Sequence, residues 1–306
     1  MNALQGHVND YLQMRRALGF KLEREAQLLG QFVTYTCAAG ASTVTSELAV
    51  AWARQPVGVR PNEWAKRLGV VRKFAGYLHT VDPESQVPPA GVFPAHRHRP
   101  TPYLWSREEI CRLLEGARGL SSLLRAATHE TLFGLLAASG MRIGEAIGLD
   151  RVDVDLTAGV ITIREAKFDR SRLVPLHPTV TDALRRYATE RDRLSPTRRS
   201  TSFFVTSAGT TLGHSGVSKT FRKITTATGT RTDTAHPRVH DLRHSFAVST
   251  LIGWQRGGVN IDEHIVTLST YLGHVSPADT YWYLSAHPQL MELAAERLEA
   301  RFGAAR

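Results

Sequence analysis

Residues 83–102, PESQVPPAGVFPAHRHRPTP, carry six prolines: Pro83, Pro88, Pro89, Pro94, Pro100 and Pro102. Proline has no N–H to donate and fixes its own φ, so neither a helix nor an inner strand runs through such a stretch. The segment reads as an extended, partly stiff linker. It separates a unit at 1–82 from a second at 103–306, and a chain of 306 residues is long enough for two cores. Before residue 101 there are 12 basic and 7 acidic side chains, and after it 26 and 21, so each part contributes +5 to the net charge of +10. Two basic units suit a grip on a polyanion from two sides, although charge alone also serves solubility. Only Cys37 and Cys111 are present, which excludes a disulfide framework and fits a cytoplasmic setting. No apolar run approaches the roughly 20 residues of a membrane span, and MNALQGHVND lacks the layout of a secretory signal.

The first unit reads as four helices. Leu4, Val8, Tyr11 and Leu12 recur at helical spacing in 2–18, and Leu28, Leu29, Phe32 and Val33 do so in 22–38. Thr45 or Ser46 can cap a third helix. A fourth, from Pro61 to Leu78, carries Trp64, Leu68, Val71 and Phe74 as its core stripe. Around that stripe lie Arg60, Lys66, Arg67, Arg72 and Lys73, which with Arg97 and Arg99 of the HRHR stretch are the DNA-binding candidates. The second unit opens on Ser106 with Glu109 three positions on, a reciprocal cap. Helical segments follow to Gly140 and Leu149. Val160–Ile163 and Leu173–Leu176 then read as strands, and the rest is helical again. The expected fold is mainly α with a small antiparallel sheet.

Four segments look chemical. SGMRIGEAIGL (139–149) sets Arg142 at a helix start, where a cation opposes the helix dipole unless an anion arrives. HDLRHSFA (240–247) puts His240 and Arg243 on one helical face. YLGHVSPADTYWY (271–283) supplies His274, then a fresh helix start, then tyrosines. EAKFDR offers Lys167 at a hairpin tip. Two arginines, two histidines, a lysine and a tyrosine make a cationic cup with a nucleophile, which suits attack on a phosphodiester. His236, His240 and His244 recur every four residues and raise a zinc reading, but Pro237 interrupts the run, so no metal site is expected.

These segments resemble the tyrosine recombinase family of phage and transposon integrases. Arg142-x-x-Glu145 with Leu149 resembles its first arginine box, His240-x-x-Arg243 its second, and Leu272-Gly273-His274 its third. Tyr283 follows nine residues after that histidine, and Lys167 with Val174-Pro175-Leu176 is similar to the hairpin lysine. The resemblance implies an N-terminal helical core-binding domain and a C-terminal mixed α/β catalytic domain with a tail helix at 288–302. It makes Arg142 and Arg243 clamps on a DNA phosphate, His274 a further donor, His240 the proton acceptor, Lys167 the acid for the leaving 5′ oxygen, and Tyr283 the nucleophile, with Glu145 orienting an arginine. Tyr281 competes for that place, but two residues on a helix point roughly 200° apart, so one of the two faces the cup. The family implies double-stranded DNA as partner, a homotetramer in the synaptic complex, a monomer compatible with the free state, an accessory directionality factor, and no cofactor. A type IB topoisomerase and a non-catalytic DNA-binding regulator are the competing readings.

Overall fold

The computed structural model describes residues 3–94, 101–164, 171–197, 199–274 and 276–286, with 290–292, 295, 296 and 299 of the tail. They form two compact units, those up to 94 in the first and those from 101 in the second.

The first unit is α1 (Ala3–Ala17), α2 (Glu23–Ala38), α3 (Ser46–Arg54) and α4 (Pro61–Leu78). Thr45 caps α3, its Oγ1 accepting the Leu48 N–H at 3.2 Å. The apolar stripes meet in a core of Leu29, Phe32, Trp52, Phe74 and Leu78, with Phe32 edge-on to Trp52 at 5.3 Å. Residues 83–94, read from sequence as linker, pack on this unit. The Gln86 N–H donates to Val44 O at 2.7 Å, Arg72 Nε donates to Pro88 O at 3.0 Å, and Phe93 is buried against Trp64 at 5.9 Å. Prolines bar a helix here but not docking of the apolar Phe93.

Arg67, expected among the basic flank, corrects that expectation. It is buried, its guanidinium 3.8 Å over the Trp52 ring, and Nη2 donates to Trp52 O at 3.2 Å. Four residues before Val71, it falls on the core stripe rather than beside it. Arg60, Lys66, Arg72 and Lys73 are exposed, Lys66 lying 3.6 Å from a Glu63 oxygen. Arg97 and Arg99 lie outside the described residues.

The second unit is built around α6 (Leu123–Ser139), buried on most of its faces and packed by α5 (Arg107–Arg118), α8 (Pro178–Leu194) and α10 (Val239–Arg256). A helix apolar nearly all round needs such enclosure. Ser106 and Glu109 form the expected reciprocal cap on α5. After the short α7 (Ile143–Ile147) come three antiparallel strands in the order β1 (Val154–Asp155), β2 (Val160–Arg164), β3 (Ser171–Pro175). The register pairs Ile163 with Arg172 and Ile161 with Val174. Ile161, Ile163 and Val174 face the core. Helices α9 (His214–Ala227), α11 (Ile261–Leu272) and α12 (Ala278–Ala286) complete the unit. A second cluster joins α10, α11 and α12 through Val248, Leu251, Ile265, Leu268 and Tyr283, and Leu290 of the tail is buried in it. Among the described residues no helix is long and apolar enough to cross a membrane.

Candidate active site

Two glycines shape the site. Gly140 ends α6 at φ 62 and Gly273 ends α11 at φ 68, a left-handed conformation that side chains resist. Space is short there as well. A Cβ on Gly140 would lie 2.5 Å from Phe246 Cδ1, and one on Gly273 would lie 2.6 Å from Arg172 Nη1.

The turn at Gly273 divides the carbonyls at the end of α11 between two kinds of partner. The Gly273 N–H returns to Thr270 O and the His274 N–H to Ser269 O, each at 2.9 Å. The next three carbonyls accept from arginines that come from three different elements. Tyr271 O takes Arg172 Nε at 3.1 Å, Leu272 O takes Arg243 Nη2 at 2.7 Å, and Gly273 O takes Arg142 Nη2. Unsatisfied carbonyls and a negative dipole end make a helix C-terminus a natural seat for cations. Arg243 is further fixed through Nη1 to Gly140 O at 2.8 Å.

Glu145 is the carboxylate within this cationic group. Arg142 Nη1 donates to Oε1 at 2.7 Å, the Arg142 N–H to Oε2 at 2.9 Å, and Arg172 Nη2 to Oε2 at 2.7 Å. Burial pushes its pKa up, but the arginine hydrogen bonds outweigh that and leave it lowered. Arg243 is buried, and burial followed by the Arg142 charge lowers its pKa to about 10. It therefore stays charged at neutral pH, partly offset by Glu145, in a place where a further anion would be held strongly.

Tyr283 is buried and Tyr281 is 43% exposed, so the helix turns the sequence-selected tyrosine inward. The Tyr283 ring lies 6.2 Å from His274, nearly parallel to it, and within electrostatic reach of Arg243. His274 Nδ1 meets Thr280 Oγ1 at 2.7 Å. His240 sits one helical turn from His244, their rings 4.7 Å apart. It is His244, to which the sequence reading gave no role, whose Nδ1 meets the Tyr283 hydroxyl at 3.0 Å. Arg172 also went unassigned. Spacing offered one hint, since His244 shares a helical face with His240. Arg142, Glu145, His240, Arg243, His274 and Tyr283 all lie in this one unit, whereas Lys167 lies outside the described residues. His236 Nδ1 accepts from Arg231 at 3.2 Å, and among the described residues no cluster of His, Cys, Asp and Glu could hold a metal ion.

Burial, and then the neighbouring His240 or Arg243 charge, lowers His244 and His274 to about 4. Burial likewise lowers His240 and His129. In the unfolded chain a histidine titrates near 6.5, so that state binds the extra protons first. The stability these rings contribute is complete above about pH 6.5 and is lost as pH falls towards 4. The melting temperature is expected to drop between about pH 7 and 5, and to drop less in His274→Asn. A pH series of thermal melts checks this, and equal slopes for the two proteins would refute it.

Comparison with known proteins gives a consistent picture. The model of the phage integrase family matches residues 106–289. A protein of Sinorhizobium fredii described as an integrase/recombinase, y4rB, is 42% identical over 310 residues, covering 99% of this chain and 99% of its own. Tyrosine recombinase XerC of Chlorobaculum parvum is 29% identical across 74% of this chain and 69% of its own. The crystal structure of XerH site-specific recombinase bound to palindromic difH substrate, a post-cleavage complex, shares the fold at a TM-score of 0.66 and 21% identity, covering 90% of this chain and 78% of that one.

Proposed function

The chain belongs to the phage integrase family, and from that premise we propose that it is a tyrosine site-specific recombinase whose nucleophile is Tyr283. The observation that carries the assignment is a buried tyrosine held among His244, His274 and Arg243, beside a helix end that gathers Arg142, Arg172 and Arg243.

A free phenol ionises near pH 10, so at neutral pH the site must help it. Arg142 and Arg243 hold the non-bridging oxygens of the scissile phosphate and oppose the charge that builds in the transition state. Glu145 and the α11 carbonyls fix both guanidinium groups before DNA arrives, so little reorganisation is left to the reaction itself. His274 Nδ1 meets Thr280 Oγ1; in the proposed mechanism the hydroxyl donates there, so the ring's proton sits on Nε2 and is donated to the same phosphate. His240 accepts the phenol proton, and Lys167 supplies one to the departing 5′ oxygen. The tyrosine oxygen–phosphorus bond forms as the phosphorus–5′ oxygen bond breaks, leaving a 3′-phosphotyrosine and a free 5′ hydroxyl. One phosphodiester replaces another, so a second 5′ hydroxyl reverses the step without ATP.

Residues 1–82 act as the helical core-binding clamp, with Arg60, Lys66, Arg72 and Lys73, and Arg97 and Arg99 beyond them, on the DNA backbone. Residues 103–306 form the catalytic domain. Double-stranded DNA is the partner, four chains assemble at synapsis, and an accessory directionality factor fits the family. The protein works in the cytoplasm.

A nicked suicide substrate should trap a covalent protein–DNA adduct, and a plasmid carrying two target sites should give deletion or inversion products. Relaxation without such products would identify a type IB topoisomerase. Binding without any adduct would identify a DNA-binding regulator.

A further inference from the structure

His244 touches the hydroxyl of the proposed nucleophile, and neither the family motifs nor the mechanism above uses it. We propose that His244 is a positioning residue that holds the Tyr283 hydroxyl in its attacking orientation before DNA binds, an inference that rests on Tyr283 being the nucleophile. The contact is 3.0 Å from Nδ1 to the phenol oxygen, between residues 39 positions apart on α10 and α12.

Three features separate this from simple packing. Tyr283 is 2% exposed, and a buried hydroxyl without a partner is costly, so the imidazole nitrogen answers a polar need that Phe or Leu could not. The His244 ring is itself fixed, edge to face, by His240 at 4.7 Å and by Trp282 at 5.7 Å. The tyrosine ring is flanked by His274 at 6.2 Å and His244 at 5.4 Å. Flanking restrains the ring plane, and the hydrogen bond then restrains where the oxygen points within it.

Positioning suits His244 better than proton acceptance. A ring that burial keeps neutral well below physiological pH is a constant hydrogen-bond acceptor but a weak base toward a phenol. The proton goes to His240, as above, while His244 Nδ1 accepts the O–H until the phosphate arrives. Misplacing a reacting atom by about 1 Å can cost on the order of 100-fold in rate.

The test compares His244→Ala, His244→Asn and wild type in the full-length protein, reading single-turnover adduct formation on a saturating nicked duplex together with duplex affinity. Asparagine places a polar atom near the Nδ1 position but cannot serve as a base in this range. His244→Ala is expected to lose about 10- to 100-fold in adduct rate with duplex affinity within about threefold of wild type, and His244→Asn to recover to within about fivefold of wild type. An alanine variant as fast as wild type overturns the proposal, as does an asparagine variant as slow as alanine. Wild type and Tyr283→Phe run alongside: if wild type traps DNA and the phenylalanine variant does not, a silent His244→Ala sinks this inference alone. If wild type traps nothing, the nucleophile assignment falls first. Should the alanine variant misfold, nitrogen NMR of the DNA-free protein decides. Tyr283→Phe should shift the Nδ1 resonance of His244, and an unmoved resonance overturns the proposal.

Discussion

Tyr283→Phe is expected to abolish the covalent protein–DNA adduct, lowering its formation by at least about 1,000-fold, while duplex affinity stays within about threefold of wild type. The reasoning is local. The phenylalanine ring keeps the place between His274 and His244 and the packing against α10 and α11, so the fold loses one hydroxyl and its hydrogen bond to His244. That bond contributes about 1 kcal/mol to stability, small beside a domain's total. In the proposed mechanism the oxygen removed is the atom that bonds to phosphorus, and Tyr281 faces outward, so it does not stand in for it. Denaturing gels after incubation with a nicked substrate, alongside filter binding, give both quantities. An adduct that persists in Tyr283→Phe would move the nucleophile to another residue.

Arg243→Lys should be nearly as damaging, with adduct formation falling about 100- to 1,000-fold and duplex affinity changing by less than about tenfold. The guanidinium spans two carbonyls that belong to different helix ends, Gly140 O at 2.8 Å and Leu272 O at 2.7 Å. Its planar fork makes both bonds and still presents other N–H groups to a phosphate. An ammonium is a single tetrahedral point, which can satisfy one carbonyl or the other but cannot bridge both and also reach the phosphate. One buried carbonyl then goes without its partner, so a modest loss of melting temperature should accompany the loss of rate. Affinity changes little because one phosphate contact is a small part of a charge-driven grip. The same gels and binding assays read the outcome, and a lysine variant within about fivefold of wild type would show that charge, not the fork, is what this position supplies.

Much of this was legible in the sequence because the signals were local. The caps at Thr45 and Ser106, Pro61 in the first turn of its helix, and Gly140 each announce a helix boundary through backbone chemistry within a few residues. The arginine, histidine and tyrosine boxes are likewise short, and most of them meet in one site although they span Arg142 to Tyr283. What escaped was what depends on partners far along the chain. Arg67 looked like a surface cation, yet its seat on Trp52 was hinted at by its spacing from Val71. The docking of Phe93 depends on Trp64, and nothing beside Phe93 foretells it. His244 was visible as a histidine, but its meeting with Tyr283 is made by the packing of α10 against α12. Arg172 lies in a strand whose register with β2 decides that it points toward Glu145, and a one-residue slip would have turned it away. The strand Val154–Asp155 is too short for any alternation to reveal it.

The end of α11 has a consequence for how this enzyme could be silenced or awakened. Guanidinium groups from the turn after α6, from the sheet and from α10 all moor to consecutive carbonyls of one peptide turn. Sliding that helix by a fraction of its pitch would unmoor all of them together, so the proposed site hangs on the placement of a single backbone segment, much as an arch answers to its keystone.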